Sequence, residues 1–303
     1  MNGDKKQFNN INASSLFHFT KELETLKSII REGLRFSYAF ESMPSRITAN
    51  VNYPSVPDSV ESIYKNTGVA IPMISFCDIP ITRASAHMKK YGYYMIGLDK
   101  AHLLDWYKAI INPVLYIHSN NLNDAFIDFS NIYSETVKQQ NAQILSLSEQ
   151  KEKMDSKEIQ NLAVTYGLRK FFIRYILGLA KPTIDPKTKY CYYNEREWRA
   201  FLSDRSFNNS DWEWEITKQD YEHNRDKWNE ELSKNFENYI TLYEENLRVG
   251  LTFIVVKDED EVNEIIKFIL NSQKIFGYTD VSQETRHNLI SKITSMERIA
   301  RDY

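Results

Sequence analysis

Residues 14–34 read SSLFHFTKELETLKSIIREGL, a stretch that spells a strand, a helix and a stop in that order. Side chains alternate along a strand, so Leu16, His18 and Thr20 fall on one face of LFHFT and Phe17 and Phe19 on the other. The phenylalanines are expected to anchor the strand to the core, leaving His18 to face a cleft. Thr20 reads as a helix N-cap, with Glu22 and Glu24 in the first turn where they complement the helix dipole. Leu23, Leu26, Ile29 and Ile30 form the apolar stripe, and Gly33 followed by Leu34 reads as a glycine stop with its hydrophobic clasp.

Outward from that unit, 303 residues that are 42% hydrophobic suffice for one large domain, and the expectation is a single domain over 1–303. A formal net charge of −3 gives no overall basic field for binding nucleic acid, although a local basic groove stays open. Cys77 and Cys191 make no disulfide framework, and MNGDKKQFNNINASS has no apolar signal core, so a reducing cytoplasm is expected. The run LAVTYGLRKFFIRYILGLAKP is interrupted by Arg169, Lys170 and Arg174, whereas a membrane span needs about 20 largely uncharged residues. It reads as a buried helix, and no membrane is expected among the partners.

Residues 41–68 are rich in Pro, Ser, Asn and Asp and read as a long loop, a candidate lid. VAIPMISFCDIPI (69–81) is a strand region in which Pro72 and Pro80 mark ends or an edge, followed by a short helix through His87 and Lys90. Strands are expected at 91–98, 113–118, 189–202, 212–216 and 251–256, and helices at 100–108, 259–270 and from Gln283 with Ser282 as cap. From about 123 to 181 the pattern is helical with a polar middle and reads as a helical insertion. Thr217 is expected to cap one long helix over about 218–248, because Tyr221, Trp228, Leu232, Phe236, Tyr239, Ile240, Tyr243 and Leu247 keep a three-to-four spacing. The fold class is therefore α+β.

No two of the six histidines lie three or four positions apart and the cysteines are isolated, so no metal site is expected. GxGxxG, GxxxxGK[ST] and GxSxG are all absent, which disfavours dinucleotide-binding, P-loop and serine-hydrolase chemistry. What remains is His18 on its strand, the tyrosines of YGYYM, and YYNEREWRAFL, whose Glu195, Glu197 and Arg199 share one face if the segment is a strand. Neighbouring carboxylates raise each other's pKa and line a cleft or meet a cation. The plain alternative is that Glu197 only pairs with Arg199 or a neighbouring arginine on a solvated face, and that Tyr91, Tyr93 and Tyr94 only pack the core.

LFHFTKELETLKSIIREGL, IPMISFCDIPI, HMKKYGYYMIGLDK, NPVLYI and YNEREWR, in that order over about 1–202, resemble the AbiGi family of abortive phage-infection proteins. That family is labelled the antitoxin component of a two-gene system, which implies a neighbouring toxin or antitoxin as partner. The opening motif also resembles ADP-ribosyltransferase-like folds, including DarT-type toxins. This second resemblance implies a split β-sheet with a large helical insertion and extra C-terminal helices, and NAD as substrate. On it, Glu197 is the catalytic residue, with Glu195 as alternative, His18 holds the NAD ribose, and Phe19 and Thr20 are further NAD-binding residues. Tyr91 or Tyr93 stacks on the nicotinamide. A carboxylate on the ribose 2′-hydroxyl would stabilise an oxocarbenium-like transition state as glycosidase carboxylates do. The leading expectation is accordingly a toxic NAD-dependent ADP-ribosyltransferase acting on RNA or single-stranded DNA, with Arg169, Lys170, Arg174, Lys187 and Lys189 as weak candidates for contacts to nucleic acid. The alternative is a non-catalytic antitoxin or phage-sensing binding module on the same scaffold.

Overall fold

The computed structural model describes residues 13–42, 68–104, 109–118, 178–184, 188–202, 215–235, 239–242 and 244–302. Strand β1 (Ser15–Thr20) and helix α1 (Leu23–Glu32) form where the opening motif predicts them. The helix buries Leu26, Ile29 and Ile30, which recur on one side of it. Gly33 ends it at φ +96°, its N–H donating to the Ile29 carbonyl at 2.8 Å. Thr20 is not the cap. Its backbone stays in the sheet, paired with Tyr94, and Glu22 takes the N-cap position without a side-chain hydrogen bond.

Along the chain follow β2 (Leu34–Arg35), β3 (Ser37–Ser42), β4 (Gly68–Cys77), α2 (Ser85–Tyr91), β5 (Tyr94–Asp99), α3 (Lys100–Leu104), β6 (Ala109–Pro113), β7 (Leu115–Ile117), β8 (Ala180–Pro182) and β9 (Glu197–Leu202). Then come β10 (Ile216–Thr217), α4 (Lys218–Ser233), β11 (Tyr239–Ile240), α5 (Glu244–Gly250), β12 (Leu251–Val256), α6 (Glu259–Asn271), α7 (Gln283–Ile290), β13 (Ile293–Ser295) and α8 (Met296–Asp302). The architecture is α+β. Among the described residues its main sheet runs β13-β12-β5-β1-β4-β9-β6, with β3 and β10 also paired to β4. All of its pairings are antiparallel except β12 with β13.

Strand β1 is central and covered on both faces. Leu16, Ile96 and Ile254 belong to the large core that α1 and α6 complete through Leu26, Ile30, Ile265 and Ile269. Phe17, Met95 and Val255 belong to a second cluster, closed by Met88 of α2 and Ile299 of α8. Both faces of LFHFT are thus apolar at their start, because a central strand between two helical layers has no solvent side.

Strand β4 changes partners midway. Its first half pairs with β3, from Ser42↔Gly68 to Ser37↔Met73, and at Cys77 it pairs with Phe17 of β1. Pro72 sits inside the strand, next to the last β9 pair (Met73↔Phe201), where a missing N–H breaks no ladder bond to β9.

Some element boundaries differ from expectation. Tyr91 closes α2 and Gly92 turns the chain at φ +116°, so β5 starts only at Tyr94. The expected 189–202 strand shrinks to 197–202, preceded by a 3-10 turn at Tyr192–Glu195. The expected 218–248 helix is two helices, α4 and α5, separated by β11. Its apolar spacing continues through Tyr239 and Ile240, yet their backbone pairs with Arg35 and Leu34 instead, which buries Ile240 and Thr241. Thr217 and Ser282 do cap their helices, accepting from the N–H groups of Asp220 at 3.1 Å and Thr285 at 3.2 Å. Of the candidate lid, Glu41, Ser42 and Gly68 are strand ends of β3 and β4; its remainder and nearly all of the helical insertion lie outside the described residues, as do Arg169, Lys170, Arg174, Lys187 and Trp212.

Candidate functional site

The register of the sheet decides which of the expected site residues meet. Phe17 pairs with Cys77, and Cys77 with Glu197, so these three side chains share one face. His18, one residue along β1, is turned to the other face, with Leu16 and edge-on to the Phe76 ring at 6.1 Å. Its Nδ1–H donates to the Ser75 carbonyl at 2.9 Å, and burial lowers its pKa against the opposing pull of that bond. The expected pairing of His18 with Glu197 across one cleft does not form, because single-residue alternation separates them.

It is Phe19, on the Glu197 face, that reaches toward the carboxylates. It packs on the His87 ring at 4.6 Å, and His87 in turn lies 4.4 Å from Tyr91. Burial pushes the His87 pKa down to about 4 despite the nearby Glu195 carboxylate, so its ring is neutral at physiological pH.

Glu195 and Glu197 do come together, because the left-handed turn at Arg196 (φ +43°) swings both inward. Lys181 of β8 bridges them, its Nζ donating to Glu195 Oε2 at 2.7 Å and to Glu197 Oε2 at 2.8 Å. Glu195 Oε1 accepts from Lys90 Nζ and Tyr91 Oη, both at 2.7 Å. Glu197 Oε1 accepts from Arg199 Nε at 2.7 Å and Ser75 Oγ at 2.9 Å. Arg199 continues to Glu41 at 2.9 Å and to the Gly178 carbonyl. Three carboxylates, Glu41, Glu195 and Glu197, therefore face three cations, Lys90, Lys181 and Arg199.

Burial alone would raise the Glu197 carboxyl, but Arg199 and Lys181 reverse this and hold it at about 2. Glu195 is also held below its ordinary value, since Lys181, Lys90 and Tyr91 outweigh its desolvation. Glu41 goes the other way: burial raises it, and Arg199 only partly offsets that. Lys90 further lies over the rings of Tyr190 at 4.2 Å and Tyr91 at 4.7 Å, and Lys181 over Tyr192 at 4.4 Å. Every carboxylate oxygen of Glu195 and Glu197 is thus occupied by the chain's own donors.

Of the expected nicotinamide-stacking tyrosines, Tyr91 is committed to Glu195 and Tyr93 stands apart on the surface, 39% exposed. Thr20 remains in the ladder opposite Tyr94. Sequence reasoning had Glu197 paired only with an arginine on a solvated face as its plain alternative; the Arg199 contact is present, but both residues are buried and Glu197 also meets Lys181 and Ser75. It missed Glu41, His87, Lys90 and Lys181. HMKKYGYY contains two of these in one helix turn, whereas nothing near LAKP singles out Lys181.

Among the described residues no group of three or more His, Cys, Asp or Glu is placed to hold a metal, and no helix is long and apolar enough to cross a membrane. No curated protein matches the chain, and no solved structure matches it either. One family model does, over residues 58–247, with the description "Putative abortive phage resistance protein AbiGi, antitoxin". An antitoxin description overturns the expectation of a toxic NAD-consuming effector: within such a pair the antitoxin restrains the damage and does not inflict it. The matched segment spans more than half of the 303 residues and contains Lys90, Tyr91, Lys181, Glu195, Glu197 and Arg199. On that match the chain belongs to the AbiGi family.

Proposed function

We propose that this protein is the antitoxin of a two-gene phage-resistance system and acts by binding its cognate toxin, without turning over NAD. The observation that carries the reading is the family match over 58–247. The closed charge network supports it. A glycosidic-bond-cleaving carboxylate must be free to meet a ribose hydroxyl, and Glu197 is spent on Arg199, Lys181 and Ser75. In this reading the network is structural: it pins β9 to β4, β8 and α2.

The scaffold is read as an ADP-ribosyltransferase-like split sheet, on the ground that β4 changes partner from β3 to β1 midway. Leu115, Ile184 and Tyr193 are 55%, 42% and 57% exposed and are the side chains assigned here to contact with the toxin. Co-expression tests the reading. Growth that is arrested by the neighbouring gene and restored by this chain, together with co-purification of the two products, is the expected result. Growth arrest by this chain alone would remove the antitoxin assignment.

A further inference from the structure

Tyr190 and Tyr192 flank Cys191, whose backbone is extended at φ −88° and ψ 97°, so alternation sends both rings to one side of the chain. The two rings meet edge-on at 5.4 Å with 73° between their planes, which makes two walls at nearly a right angle. Tyr91, the last residue of α2, supplies a third wall and is steadied by the His87 ring at 4.4 Å. Into the space between them reaches the ammonium of Lys90. Its Nζ lies 4.2 Å from the Tyr190 ring centroid, 4.7 Å from that of Tyr91 and 5.1 Å from that of Tyr192, and it donates to Glu195 Oε1 at 2.7 Å. Three aromatic rings and a carboxylate around one ammonium form the arrangement that recognises lysine-type and methylated ammonium ligands.

The walls do not depend on Lys90. Tyr91 Oη donates to Glu195 Oε1 at 2.7 Å, and the Tyr192 ring carries the Lys181 Nζ at 4.4 Å from its centroid. Lys181 also donates to Glu195 Oε2 at 2.7 Å. Without Lys90, Glu195 keeps a donor on each oxygen, and its charge stays matched by Lys181. The two lysines differ in depth as well, the Lys181 side chain being 15% exposed and that of Lys90 40%. Lys181 is the built-in counter-ion, and Lys90 is the outer cation that solvent reaches.

We propose that Tyr91, Tyr190, Tyr192 and Glu195 form a binding site for a primary alkylammonium group of the size of a lysine side chain, and that Lys90 fills it from within the chain as an internal competitor. An external ammonium enters by displacing Lys90. The proposal stands whether or not the chain binds a toxin.

NMR titration of the full chain, ring-labelled on tyrosine and held at constant ionic strength, tests it. The probes are n-butylammonium, which copies the lysine side chain from Cβ outward, Nα-acetyl-lysine amide, which presents the same group on a peptide unit, and n-butanol as the neutral control. Lys90→Ala replaces a half-exposed helical side chain by the best helix former and vacates the site. The variant is expected to bind at least one of the two amines, and the parent to bind it at least tenfold more weakly, because a tethered group competes at high effective concentration. Binding of both amines assigns the site to lysine side chains, and binding of n-butylammonium alone assigns it to small free amines. Adding Tyr192→Ala to the variant is expected to weaken binding roughly tenfold. The proposal is overturned if neither amine binds Lys90→Ala, if n-butanol binds as tightly as n-butylammonium, or if the parent binds as tightly as the variant. It is also overturned if the Tyr192→Ala addition leaves affinity unchanged while the circular dichroism spectrum is retained.

Discussion

Replacing Glu197 by Gln keeps the shape of the side chain and its acceptor for Ser75 Oγ, but removes the charge that Arg199 and Lys181 face. Those two cations hold its carboxyl at about 2, against an ordinary 4.5. Each pH unit between the two values is worth about 1.4 kcal/mol, so the ionised form contributes about 3 kcal/mol to folding at pH 7. That agrees with the roughly 3–5 kcal/mol lost when one partner of a buried ion pair is removed. The sign follows from a depressed carboxyl: the contribution is complete above pH 4.5 and is lost as pH falls from there toward 2. Urea unfolding of parent and Glu197→Gln proteins at pH 7 and pH 3 is the assay. The expected gap is about 3 kcal/mol at pH 7 and about half of that at pH 3. A gap below about 0.5 kcal/mol at pH 7, or one that does not shrink at pH 3, would refute the claim that this carboxylate is held ionised by its neighbours.

Other perturbations test other parts of the fold. His87, with its pKa pushed down to about 4 by burial, should stay neutral in an NMR titration until well below its ordinary 6.5, and its contribution to stability should be present above pH 6.5 and be lost as pH falls toward 4; a midpoint above 6 would contradict its burial against Phe19 and Tyr91. Gly92→Ala should cost about 2 kcal/mol or more in denaturant unfolding, since φ is +116° there and an added Cβ would come within 2.0 Å of the Thr20 carbonyl oxygen. Leu26→Ala in α1, at 0% exposure, should cost about 2–5 kcal/mol by the same measurement. Thr217→Ala should lower stability by about 1 kcal/mol through loss of the α4 cap.

Local signals survived the step to three dimensions where the chemistry is local. The α1 stripe, the Gly33 stop, the Thr217 and Ser282 caps and strand β12 depend on side chains a few residues apart, and each formed as read. Thr20 failed as a cap because a long-range pairing with Tyr94 held it in the sheet. The expected 218–248 helix failed for the same kind of reason, since pairing with Leu34 and Arg35 claimed Tyr239 and Ile240 against their periodicity.

The sequence by itself determined the α+β class, the family and the two faces of LFHFT, because alternation is a property of the strand alone. Only the tertiary structure decided what each face meets. The single-residue register from Phe17 through Cys77 to Glu197 put Phe19 and His87 beside the carboxylates and left His18 on the other face. It also brought Lys181, 16 positions before Glu197, onto both glutamates. The charges that neutralise a buried carboxylate come from wherever the sheet places them, and spacing along the chain contains no record of that.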